Sequence, residues 1–331
     1  MTSTKEQARR LADMRRSLMS LHAGEYGRTV ALNLMGVMLP SMASPEQNHW
    51  ARVICDSAGQ DVARFDLMLA DEQMSTLVDE AAPSMPDQML REDDPIGPYG
   101  LVRFIEPVPD RTSMGPHIPL QALSWAYLPA DHPLLERDTD STSVLITAYV
   151  RGSDLQAIGV PFPAGMLPPS LVPFATVIWK VGTPIGVARG EVPDEEDAWL
   201  DPGFYQRLAA AFWTLAKQPL AETVDAPELP SKDVQRYRRA GIERPGQAVR
   251  VVRLRRRRHT GPAGEPTGRT LGVRFVVRGH WRNQWLPSLK DHRQTYIAPH
   301  LKGPEDAPLQ GGEKVLLVTG APPADPAGGR N

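Results

Sequence analysis

Ala8, Leu11, Met14, Leu18 and Leu21 recur at helical spacing behind Ser3 and Glu6, an S-x-x-E start, and predict a helix over 4–22. An apolar stretch over 30–39 stops at Pro40, and 45–59 and 71–82 read as further helices. From 93 to 135 the text shortens to runs between prolines. Residues 101–105, 143–150 and 172–181 read as strands, the last rich in β-branched and aromatic side chains. Prolines stiffen the loop over 159–169. Asp201 and Pro202 make a helix start, and Phe204, Leu208, Ala211, Phe212 and Leu215 follow on one face until Pro219. The stretch 222–231 reads as a linker. Beyond it come a basic helix over 232–240 and a strand over 249–258, in which valine and leucine alternate with arginine. A Gly/Pro-rich loop at 260–268 precedes strands at 271–277, 294–297 and 314–319.

This pattern predicts an α+β protein in two parts. Residues 1–225 are expected to form an acidic domain of helices and strands. Residues 231–319 form a smaller, basic, mainly β domain that engages nucleic acid, and 320–331 have the composition of a disordered tail.

Composition narrows the classes. The 33 prolines among 331 residues are about twice the usual share, which excludes a coiled coil or a long-helix protein. A single cysteine, Cys55, excludes an internal disulfide framework and a multi-cysteine zinc site. No apolar run is long enough to span a bilayer, and the first twenty residues lack the apolar stretch of a secretory signal. The expectation is a soluble, cytoplasmic protein with no membrane partner.

The net charge of −2 conceals a strong asymmetry. Between 231 and 302 stand 18 Lys+Arg against Asp233, Glu243, Glu265 and Asp291, a balance of +14, while the remainder carries −16. Such a basic end points to an acidic partner, most often nucleic acid. The alternative is a basic segment docked on its own acidic neighbour.

The densest chemistry lies in Arg278-Gly-His-Trp-Arg-Asn-Gln-Trp285 and the following Lys290-Asp-His-Arg-Gln-Thr-Tyr-Ile-Ala-Pro-His300, at the mouth of what reads as a β-hairpin. Each residue type suits RNA. Arginine pairs phosphate bidentately, aromatic rings stack on unpaired bases, and histidine exchanges protons near neutral pH. The candidate contacts are Arg255, Arg256, Arg257, Arg258, Arg278, Trp281, Arg282, Trp285, Arg293, Tyr296 and His300. A metal-independent ribonuclease needs a base for the 2′-hydroxyl, a proton donor and cations on the developing charge, and His280 with Arg278, Arg282 and Arg293 has those types. The same residues also suit plain structure: Trp281 and Trp285 closing a small sheet core, Gly279 a bulge.

Other signals fail. His280, His292 and His300 lack H-x-x-x-H pairing and have no cysteine nearby, so no metal is expected. There is no phosphate-binding G-x-x-x-x-G-K-[ST] loop and no dinucleotide fingerprint, so no cofactor is expected. The acidic run 194–197 reads as a solvated loop.

The order of features carries a resemblance. An apolar helix, a Pro-containing linker, a short basic helix and an arginine-rich strand lead to Val277-Arg-Gly-His-Trp281 and then Arg293-Gln-Thr-Tyr-Ile-Ala-Pro299. Over roughly 201–303 this resembles the type V-A anti-CRISPR family, whose members deplete the transcript of their target CRISPR nuclease and whose homologues sit on phages, plasmids and other mobile elements. That family shows an R-G-H-W…R-x-x-W-x-x-P arrangement. Arg278, Gly279, His280 and Trp281 match its first half; Arg293, Tyr296 and Pro299 match its second, with tyrosine for the commoner tryptophan. The resemblance implies recognition of a nascent or folded polypeptide and engagement of the encoding mRNA. Two other readings stand beside it: a nucleic-acid-binding adaptor without catalysis, and a structural protein of a mobile element.

If 231–302 binds RNA through phosphates, affinity falls steeply as salt rises, because each neutralised phosphate releases counterions. Replacing Arg255–Arg258 by glutamine should flatten that dependence in a titration across salt concentrations. Salt-independent binding would exclude a phosphate-driven contact.

Overall fold

The strand β1 (Asp66–Ala70) sets the plan of the molecule: Met68 and Ala70 join one hydrophobic cluster and Leu67 and Leu69 the other. A strand buried on both faces reads as a continuous apolar run, so two helical layers must cover it. In the computed structural model, residues 3–34, 43–110, 118–132, 135, 141–160, 162, 168–186, 202–226, 228–240, 249–255 and 274–302 are described. They form an α+β protein.

Its centre is a mixed seven-stranded sheet in the order β5-β4-β3-β2-β1-β7-β6. Besides β1 its strands are β2 (Tyr99–Val108), β3 (Leu120–Leu128), β4 (Ser143–Val150), β5 (Val172–Lys180), β6 (Ala221–Asp225) and β7 (Arg250–Leu254). β1 runs parallel to β2 and β7, and the other neighbours are antiparallel. On one face lie α4 (Glu72–Ala81) and α6 (Pro202–Lys217), with Val30 of α2 (Glu25–Leu34) joining their cluster. On the other lie α1 (Thr4–Ala23), α3 (Pro45–Arg64) and α7 (Ser231–Arg239). A short α5 (Gly152–Ala157) follows β4.

Local chemistry explains the helix starts. Ser44 and Gln47 close a reciprocal capping box on α3, and Asp71 accepts from the Met74 amide at the head of α4. Ser3 accepts from the Glu6 amide, but Glu6 turns to Arg10 at 3.1 Å instead of completing a box. In the core Trp125 packs edge-on against Trp213, with ring centres 5.6 Å apart, and its indole N–H reaches the Gly97 carbonyl at 3.1 Å. Gly100, its cross-strand partner, leaves room for that ring: a Cβ there would stand 2.1 Å from Trp125 Cζ2.

The sheet crosses the expected 225/231 boundary. β6 overlaps the expected linker, and β7, from the basic segment, is inserted between β1 and β6. The alternation of valine and leucine with arginine suggests a strand with one cationic face, but Arg250 and Arg253 stand three residues apart on opposite faces and meet carboxylates on the neighbouring strands: Arg250 pairs with Asp66 at 2.9 Å, Arg253 with Glu222 at 2.7 Å. Likewise α7 is held on α1, where Asp13 accepts from Arg236 at 2.7 Å and from the Tyr237 hydroxyl at 2.9 Å. The sequence pattern does not mark β1 or β3 as strands, nor the stretch His280–Leu286, which is also extended. The expected strand at 314–319, the loop at 260–268, the acidic run at 194–197 and the tail 320–331 lie outside the described residues. No helix is long and apolar enough to cross a membrane among the described residues.

Asp61 on α3 is 8% exposed and its Oδ2 has no hydrogen-bond partner. Burial pushes its carboxyl up to about 6, against a smaller opposing pull from Arg64. A carboxyl raised on folding favours the native state at low pH, and that contribution fades as pH rises through the window from about 4 to about 6. Asp61→Asn should therefore gain stability relative to the parent between pH 4.5 and 7.5, by about 1–3 kcal/mol after allowance for solvent screening. Urea midpoints at the two pH values measure it. A difference independent of pH would mean that Asp61 ionises in the folded protein as it does in the unfolded chain.

Candidate nucleic-acid interface

The densest chemistry of the sequence folds into one antiparallel ribbon. β8 (Phe275–Val277) pairs with β11 (His300–Lys302), and β9 (His280–Leu286) pairs with β10 (Asp291–Ile297). The two ladders share one register, Val277 opposite His300 and His280 opposite Ile297, across a break at Arg278-Gly279 and Ala298-Pro299. Proline cannot donate to a ladder, so an interruption at Pro299 follows from the sequence.

The base of β9–β10 is sealed against the body. Trp281 and Tyr296 are direct cross-strand partners with ring centres 5.0 Å apart, and the Trp281 indole donates to the Ala81 carbonyl at 2.9 Å. Tyr296 is 3% exposed and lies over Gly279, where a Cβ would come within 2.0 Å of the Tyr296 hydroxyl oxygen and 3.0 Å of Pro299 Cδ. Burial, with Glu80 nearby, pushes the Tyr296 phenol up to about 12. The outer edge of Tyr296 is closed by Gln218, just past the end of α6. With its amide oriented to satisfy both atoms, it donates to the Tyr296 carbonyl at 3.1 Å and accepts from the Tyr296 N–H at 2.8 Å.

A second attachment is ionic and reciprocal. Arg293 grips Asp93 with two bonds of 3.1 and 2.9 Å and reaches Asp94 at 3.3 Å, while Arg91 reaches back to Asp291 at 2.6 Å. Lys217, the last residue of α6, donates to the carbonyls of Asp93 and Asp94. The Arg293 bond, foremost among several influences, pulls the Asp93 carboxyl down, whereas burial outweighs its neighbours and pushes that of Asp94 up.

The candidate residues thus separate by place. Trp281, Tyr296 and Arg293 face the body, together with Gly279 and Pro299. Exposed are His280, Arg282, Trp285 and, unselected by the sequence pattern as an RNA contact, His292. Trp285 is 50% exposed and stands edge-on to His292, its direct cross-strand partner, with ring centres 5.0 Å apart. Trp285 and His292 share the face of Trp281 and Tyr296, four rungs further along, and the hairpin register that pairs them is the signal that could have found His292. Arg278 is exposed, and its carbonyl lies 3.1 Å from Nδ1 of His280. A carbonyl only accepts, so in the neutral ring Nδ1 carries the proton and Nε2 is left to exchange one. His300 repeats the motif on the other strand, with Nδ1 3.2 Å from the Ala298 carbonyl. Arg255 is exposed at the end of β7, and Arg256, Arg257 and Arg258 lie outside the described residues. The set His280, Arg278, Arg282 and Arg293 is not gathered on one group, because Arg293 is committed to the carboxylates. No group of three or more His, Cys, Asp or Glu side chains that could hold a metal occurs among the described residues.

No protein-family model matches the chain, and no curated protein matches it. Among solved structures, the crystal structure of AcrVA2 aligns over 90% of this chain and 95% of that one, at 10% identity and a TM-score of 0.36. A likeness that low carries no argument, so function has to be read from the chain's own residues.

Gly279→Ala should unseat Tyr296 and loosen the ribbon while the seven-stranded sheet holds, at a cost of about 1–3 kcal/mol typical of overpacking. Hydrogen exchange checks it: amides of 291–297 should lose protection and those of β1–β4 keep theirs. Unchanged protection in the ribbon would show that the close approach is not what seats it.

Proposed function

We propose that this protein is an anti-CRISPR-like regulator of a mobile element, phage or plasmid, that recognises a protein partner through its larger body and engages RNA through the C-terminal ribbon to lower a target transcript. The observation that carries the RNA part is the exposed group on β9 and β10: Trp285 beside His292, with Arg282 and His280 on the same strand as the indole. A half-exposed indole on a two-stranded ribbon offers a stacking face to an unpaired base, and Arg282, three residues away on the opposite face of β9, offers a phosphate contact to a strand that wraps round the ribbon. The protein part rests on the R-G-H-W…R-x-x-Y-x-x-P resemblance. Residues that look like a recognition motif here also build the ribbon's seat, so the motif has a structural reason as well as a functional one.

A second reading is favoured by the placement of Arg293: a binding adaptor without catalysis of its own. With that guanidinium held by Asp93 and Asp94, His280 lacks one of the cations that a ribonuclease mechanism would place on the phosphorane.

Purified protein should bind a labelled single-stranded transcript and leave it intact with and without chelator. Trp285→Ala should weaken binding by about 1–3 kcal/mol, the range for a base–aromatic stack. An unchanged affinity would remove the ribbon from the interface. Chelator-resistant cleavage that disappears in a folded His280→Gln variant would instead assign His280 as the base.

A further inference from the structure

Arg91, Lys217 and Arg293 come from a loop, a helix end and a strand, yet all three are bonded within the segment 91–94 or to Asp291. Three cations from separate elements thus converge with three carboxylates, Asp93, Asp94 and Asp291, beside a ribbon whose base is already sealed by Trp281, Tyr296 and Gln218. We propose that this cluster is a phosphate-binding site which the chain keeps occupied with its own carboxylates, and that a phosphodiester of bound RNA displaces the exposed Asp93 from it, Asp94 staying tied to the Arg91 amide. This rests on the RNA reading of the ribbon and supplies its regulation.

Three observations support displacement. The grip of Arg293 on Asp93 is the two-pronged geometry that a guanidinium also offers to phosphate, so the exchange conserves the bonding pattern. The Asp93 side chain is 62% exposed against 22% for Arg293, so the competing carboxylate is the solvated and replaceable partner. Lys217, whose bonds run to the neutral backbone carbonyls of Asp93 and Asp94, adds a second cation beside Arg293 for the same phosphodiester. The site also adjoins the exposed group. Arg293 pairs with Gln284, the rung next to Trp285 and His292, about 3.4 Å along the ribbon. A strand with one base on Trp285 reaches Arg293 by passing round the β10 edge.

The test is fluorescence anisotropy of a fluorescein-labelled single-stranded oligoribonucleotide against full-length protein across a salt series. Asp93→Asn should raise affinity about three- to tenfold. It should also steepen the salt dependence by about 0.7–1.4 in log–log slope, the increment for one or two further single-strand phosphate contacts. Adding Arg293→Gln to that background should cancel both effects, and thermal melting of each variant confirms that it is folded. A control with Glu46→Gln, an exposed acid on α3, should change neither. If wild type binds in a Trp285-dependent way and the Asp93 variant behaves identically, the displacement is wrong and the RNA reading stands. An equal gain in the α3 control reduces the effect to general charge and overturns the site. If no variant binds RNA, both fall.

Discussion

The burial of α6 is the constraint on which the remaining architecture depends. From Phe204 to Leu215 this helix buries Phe204, Tyr205, Leu208, Ala209, Ala210, Ala211, Phe212, Trp213 and Leu215, so it is apolar nearly all round and lies inside the protein instead of across its surface. Its rings meet Trp125 and Phe104 from the sheet at centre-to-centre distances of 5.6–6.3 Å. At its C-terminal end Lys217 and Gln218 hold the two attachments of the ribbon: the carbonyls of Asp93 and Asp94, and the backbone of Tyr296. Core packing and surface chemistry are therefore joined through two consecutive residues.

The charge asymmetry acquires a physical meaning in the same way. Arg236, Arg250, Arg253 and Arg293 of the basic segment pair with Asp13, Asp66, Glu222 and the Asp93–Asp94 pair of the acidic remainder. Part of the +14 surplus thus joins elements distant in sequence, much as the self-docking alternative expects. The rest includes Arg255 and Arg282, both exposed. Self-docking and binding of an acidic partner are not exclusive uses of one basic segment.

Much of the fold was legible where periodicity was long or capped. The expected helix over 45–59 extends to Arg64 as α3, the one over 71–82 is α4 with Asp71 as its cap, and the strand over 143–150 is β4 residue for residue. β1 escaped because five residues buried on both faces show no alternation. β6 escaped because an edge strand bearing Glu222 and Asp225 reads as polar connection until Arg253 is placed opposite Glu222. The sheet runs across 226–230 because one pairing partner of β7, the strand β1, lies far upstream, and local composition carries no record of it. In the candidate site, residue types were legible and directions were not. Trp281 and Trp285 look alike in sequence, yet one donates to Ala81 inside the protein and the other stands half exposed. What separates them is the carbonyl of Ala81 and the acids at 93–94, some 200 residues earlier.

That order along the chain has a consequence for synthesis. Among the described residues, the groups that receive the β9–β10 ribbon, Ala81, Arg91, Asp93, Asp94, Lys217 and Gln218, are translated before the ribbon itself. Because chains fold as they emerge, amino-terminal parts first, the seat can be in place before β9 leaves the ribosome. The ribbon then closes as a local hairpin onto a finished surface, a step on the microsecond scale of hairpin formation with no long search behind it.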